Sequence, residues 1–110
     1  MDELNAALGL SRATAEVERV HNHLLAIQSD LVSVMGELAT APKDYPHYVK
    51  DGYAVVIAAM TARLEKLIRE LEAESEAAHG WATPGSSLHA AALDVACTVC
   101  RRAERRVCAF

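Results

Sequence analysis

Aromatic residues are scarce in this chain: one Trp, three Tyr and one Phe among 110 residues. Glycine (five) and proline (three) are also in short supply, while alanine fills 21 positions. This is the make-up of one small, helix-rich domain. The three cysteines are an odd number, so free thiols are the default rather than a disulfide framework. No apolar run approaches the roughly 20 residues needed to cross a bilayer. The start, Met1-Asp2-Glu3, is acidic and lacks a charged-then-apolar leader, so a cytoplasmic protein with no membrane partner is expected. Net positive charge is missing as well, with 11 Lys+Arg against 15 Asp+Glu and a formal net charge of -4. Phosphate-backbone binding normally shows as a basic balance, which argues against nucleic acid as a partner. Disorder is excluded by a mean hydropathy of +0.08.

What the chain does have is hydrophobic periodicity. Val17, Val20, Leu24, Ile27, Leu31, Val34 and Leu38 recur in steps of three and four, predicting a helix over roughly 15–39. Tyr53, Ile57, Met60, Leu64, Leu67 and Leu71 predict a second over about 52–77. Leu93, Ala96, Cys100, Ala103, Val107 and Phe110 predict a third from about 87 to the end. A shorter helix opens the chain, with Leu4, Ala7 and Leu8 on one face and Asp2 and Glu3 at its positive end. Pro42, Pro46 and Gly52 mark one loop, and Gly80 with Thr83-Pro84-Gly85-Ser86-Ser87 marks another. Ser86 or Ser87 is the natural cap of the last helix. No strand-length alternation appears. The expected fold is all-α, an antiparallel four-helix bundle spanning residues 1–110 as one domain.

Chemistry-bearing residues are few. Cys97 and Cys100 form a C-x-x-C inside a helical pattern, with no second ligand pair. Cys100 falls on the apolar stripe and reads as a small core residue. His21 and His23 are two apart and face different ways, and His47, His79 and His89 lie near loops or helix ends. No metal site and no Ser/His/Asp constellation follows. The last ten residues differ: Arg101, Arg102, Arg105 and Arg106 stand against Glu104 alone. Asp94, Cys97, Arg101, Glu104 and Cys108 share a helical face, with Arg105 beside it. That face is either a solvated surface laced with ion pairs or a phosphate site built on Arg forks.

Three segments bear on that choice. Asp2-Glu3-Leu4-Asn5-Ala6-Ala7-Leu8-Gly9 opens the chain; Ile27-Gln28-Ser29-Asp30-Leu31 leads to Gly36-Glu37-Leu38-Ala39-Thr40; and Pro84-Gly85-Ser86 precedes Thr98-Val99-Cys100-Arg101-Arg102-Ala103-Glu104-Arg105-Arg106. In order and approximate spacing they resemble the PduO-type ATP:cob(I)alamin adenosyltransferases. The resemblance implies a helical bundle assembled as a homotrimer, with ATP (as its Mg2+ complex) and cobalamin bound between neighbouring subunits. It implies transfer of the 5′-deoxyadenosyl group of ATP to Co(I) of the corrinoid, with triphosphate leaving. The protein supplies position and electrostatics.

Carried over by resemblance, Arg101, Glu104 and Arg105 are expected to bind ATP. Trp81 is expected under the lower face of the corrin, and Asp2 at the subunit interface. The chain also departs from the family pattern. The arginine usual opposite Asp2 falls at Cys97, a usual histidine falls at Asp94, and the glycine pair after the proline is Gly85-Ser86. The family's Gly-rich T-x-x-G-D-x-G-type segment and its final helix have no counterpart in this sequence, which reads as shortened at both ends. A second expectation therefore stands beside the first: a catalytically degenerate helical relative that self-associates or binds a ligand or protein partner.

Overall fold

Leucines at three-four spacing and acids at the positive end of the dipole make the opening segment a helix, α1 (Asp2–Ala13). The structure, a computed structural model, describes residues 1–75 and 80–110. After the link at 14–17 comes α2 (Glu18–Ala39), then a 3-10 turn (Pro42–Asp44) running into α3 (Tyr45–Lys50). The remaining helices are α4 (Ala58–Glu74) and α5 (Leu88–Cys108). Ser87 caps α5, its hydroxyl accepting from the Ala90 N–H at 3.1 Å. Among the described residues there is no strand, and the all-α class is observed.

The core is small. Leu4 and Leu8 of α1, Leu24 of α2 and Ala96 of α5 are buried together, flanked by Val20, Ile27, Leu31, Leu93, Val99 and Ala103. α1 runs antiparallel to both long neighbours. Its Glu3 pairs with Arg102 near the end of α5, and Thr14 Oγ1 lies 3.3 Å from His89 Nδ1 near the start of α5. Small residues permit the close approach. Ser11 is fully buried and Ala92 and Ala96 nearly so, with the Ser11 hydroxyl donating back to the Ala7 carbonyl at 3.0 Å. Gln28 then bridges α2 to α1, its Nε2 donating to the Asn5 backbone and side-chain oxygens, each at 3.1 Å.

α4 is attached differently. None of its described residues is buried, and it joins α2 through two ion pairs, Arg19–Glu74 at 2.8 Å and Arg63–Asp30. The Arg19 hydrogen bond lowers the Glu74 pKa, and Glu74 in turn raises that of Arg19. The apolar stripe of α4 stays largely open, with Leu64, Ile68 and Leu71 exposed. The molecule measures 48 × 25 × 24 Å with a radius of gyration of 16.0 Å. A compact domain of this length has a radius of about 13 Å.

Three expectations are corrected. The second long helix begins at Ala58, not near 52: residues 53–57 are not helical, and Ile57, which caps α4, has extended backbone. Gly52 takes a positive φ of 82° that ends α3, and the Val56 N–H is held by the Glu37 carboxylate at 2.7 Å. Its C-terminal end is Glu74; residues 76 and 77 of the expected span, like His79, lie outside the described residues. Part of the loop expected at Pro42–Gly52 is α3, with Tyr45, Tyr48 and Tyr53 stacked at centroid separations of 6.1 and 5.1 Å. Finally Cys100 is exposed, not a core residue. The stripe facing α1 is Ala92, Ala96, Val99 and Ala103, whose small side chains let the two backbones come close.

No single helix among the described residues is long and apolar enough to cross a membrane. α2 and α3 pass that test only as a pair bent by 108°.

Candidate functional site

α5 presents two faces because its residues advance about 100° each. With Ala92, Ala96, Val99 and Ala103 turned inward, the stripe Asp94, Cys97, Arg101, Glu104 and Cys108 is turned to solvent, Arg105 beside it. Arg101, Glu104 and Arg105 are all exposed. Among the described residues none of the three forms an ion pair or a side-chain hydrogen bond. The ion-pair lacing expected of a solvated surface is therefore not formed there. Arg102 is the arginine that is used, joining α5 to α1 through Glu3.

The other expected site residues are dispersed. Trp81 lies in the link before α5 and is 92% exposed. From Leu88, where α5 begins, to Arg101 the helix rises about 20 Å, and none of the clefts among the described residues is lined by either Trp81 or Arg101. Asp2 is exposed in the first turn of α1 and lines a shallow cleft with Met35, Leu38 and Ala39. It has no ion-pair partner among the described residues; its neighbour Glu3 is the acid that meets α5. Asp94 and Cys97 are both exposed on the Arg101 stripe.

One feature escaped the sequence reading. A cavity of about 290 Å³ opens where the end of α5 meets α1 and α2, walled by Leu4, Leu38, Val99 and Val107 with Arg102 and Arg106 at its rim. The signal was Arg102 and Arg106 at i, i+4, but which flank of α5 they occupy depends on the rotation of the helix. Among the described residues no group of three or more His, Cys, Asp or Glu could hold a metal ion.

The helical order, the TVCRRAERR segment on α5 and the exposed arginine stripe can now be set beside known proteins. The profile of the cobalamin adenosyltransferase family matches residues 1–110. The chain belongs to this family. It is 34% identical over 106 residues to a cobalamin adenosyltransferase of Cupriavidus metallidurans, covering 96% of this chain and 52% of that protein. It is 34% identical over 110 residues to the corrinoid adenosyltransferase PduO of Salmonella typhimurium, 97% of this chain and 31% of that one. A corrinoid adenosyltransferase of Bacillus subtilis is 35% identical over 116 residues, 100% of this chain and 55% of its own length. The chain thus spans about half, or less, of the curated relatives it matches. No solved structure matches at the same standard.

Proposed function

We propose that this chain is the helical part of a corrinoid adenosyltransferase whose nucleotide face is the outward side of α5. The observation that carries the proposal is the stripe of Arg101, Glu104 and Arg105, exposed and without an ion-pair partner among the described residues, in a member of the cobalamin adenosyltransferase family. Guanidinium forks without internal partners are free to bind phosphate oxygens bidentately. Arg101 and Arg105 would then offset the charge that grows on triphosphate as it leaves. Glu104 accepts hydrogen bonds from an arginine or a ribose hydroxyl. Mg2+ fits this donor set only as a companion of the substrate phosphates, since the stripe supplies few carboxylates and no cage.

Trp81 offers a flat, apolar and exposed ring for the lower side of the corrin. The resemblance to the family implies a homotrimer with both ligands between neighbouring subunits, and this reading adopts it. The exposed apolar side chains Leu10, Leu25, Val32 and Ile68 support association. Asp2, exposed in the first turn of α1, would face the neighbouring subunit. In the reaction the Co(I) of the bound corrinoid is the nucleophile, C5′ of ATP is attacked and triphosphate departs.

One observation favours the second reading, a relative that binds without catalysing. Asp94 and Arg101 share a stripe, which sets a carboxylate among the groups meant for phosphate. Mixing the chain with ATP and chemically reduced cob(I)alamin separates the two. ATP-dependent conversion of the spectrum to that of adenosylcobalamin is expected, and ATP binding without conversion would leave the non-catalytic reading.

A further inference from the structure

Cys97 and Cys100 are free, exposed and near the middle of α5. Neither contributes to the core, which α5 builds from Ala92, Ala96 and partly buried Val99 and Ala103. Residues three apart on a helix have Cβ atoms about 5–6 Å apart. A disulfide needs them at about 3.5–4.5 Å, so closing one would break a helix that is continuous over 21 residues. Between the two cysteines, the Thr98 hydroxyl donates to the Val95 carbonyl at 2.7 Å, with the helical turn intact.

A soft cation spans the gap that a disulfide cannot. With metal–thiolate bonds of about 2.3 Å, two sulfurs in line across one ion stand about 4.6 Å apart. Among the described residues no group of three or more His, Cys, Asp or Glu is placed to hold a metal. The donor set stops at two thiolates, which is too few for tetrahedral zinc. Two soft donors alone suit Cu(I). Arg101, adjacent to Cys100 and four residues after Cys97, offsets the single negative charge of a bis-thiolate Cu(I) unit; Asp94 and Glu104 flank the pair without joining it.

We propose that Cys97 and Cys100 form a two-thiolate Cu(I) site on the open face of α5. Loading forms two Cu–S bonds and releases one proton from each thiol, and no oxidation state changes. The two thiolates need no adenosyl transfer to bind copper, although Arg101 borders both this site and the proposed nucleotide face.

The test is an anaerobic titration of the reduced full chain with Cu(I) against a chromophoric Cu(I) chelator. One Cu(I) per chain is expected, with the far-UV circular dichroism unchanged on loading. C97S and C100S should each lose about 100-fold or more in affinity, the gain that linking two ligands supplies, while C108S binds as the unaltered chain does. Because both thiols are exposed, C97S and C100S should melt at the temperature of the unaltered chain, which keeps a loss of binding interpretable. Undiminished uptake by C97S or C100S, one copper shared between two chains, or loss of helix on loading would each overturn the proposal.

Discussion

Arg102 pairs with Glu3 across the α5–α1 contact, 99 residues apart in the chain, while its neighbour Arg101 has no partner among the described residues. One residue along a helix is about 100° of rotation. That step divides a single basic segment into an arginine that bridges α5 to α1 and one turned to solvent. Both partners of the pair are at least half exposed, so Arg102→Ala should cost only about 0.2–1 kcal/mol in urea denaturation. Glu3→Ala should cost a similar amount, and the double variant little more than either.

Gly36 sits where Tyr48 crosses α2. A Cβ there would fall inside van der Waals contact with the Tyr48 hydroxyl and 3.2 Å from its Cζ. Tyr48 cannot easily yield, because its hydroxyl donates to the Ala54 carbonyl at 2.7 Å and its ring is stacked on both sides. Gly36→Ala is therefore expected to destabilise the chain by about 1–3 kcal/mol, the range for overpacking. Adding Tyr48→Ala should recover part of that loss, as measured by thermal unfolding.

These contacts indicate what could be read from the residues. The start of α1, the end of α2 and the course of α5 follow from periodicity and capping, and of the two serines offered as its N-cap, Ser86 and Ser87, the helix uses Ser87. The stripe of Arg101 and Glu104 follows too, because three-four spacing on one helix needs no knowledge of its neighbours. Tyr53 and Ile57 misled, since their spacing extends the α4 stripe backwards although the stretch after Gly52 is not helical and its Val56 N–H donates to the Glu37 carboxylate. Cys100 misled for a tertiary reason: α5 is rotated so that Val99 takes the inward position. Which arginine finds Glu3 likewise depends on that rotation.

α4 should be the most salt- and acid-sensitive helix. Glu74 has its pKa lowered by the Arg19 hydrogen bond, so its contribution is present above the ordinary carboxylate range and is lost as pH falls through the lowered value. Amide exchange in α4 should quicken on acidification and at high salt before that of α1 or α5. In Glu74→Gln, exchange should already be faster at neutral pH and respond less to acid.

Trp81 is the sole tryptophan, and at 92% exposure it should emit as a solvated indole. If its ring lies under a corrin, adding cobalamin should quench that emission saturably. Quenching no greater than that of free N-acetyltryptophanamide would remove Trp81 from the site.

The central claim is that the outward face of α5 is the nucleotide face, and calorimetric titration with ATP tests it most directly. Arg101→Ala should bind about 10-fold or more weakly, the loss expected when a charge-assisted hydrogen bond to phosphate is removed. Arg102→Ala, one residue further along, should keep the affinity of the unaltered chain. Equal affinity in Arg101→Ala and the unaltered chain, or a loss confined to Arg102→Ala, would contradict the account.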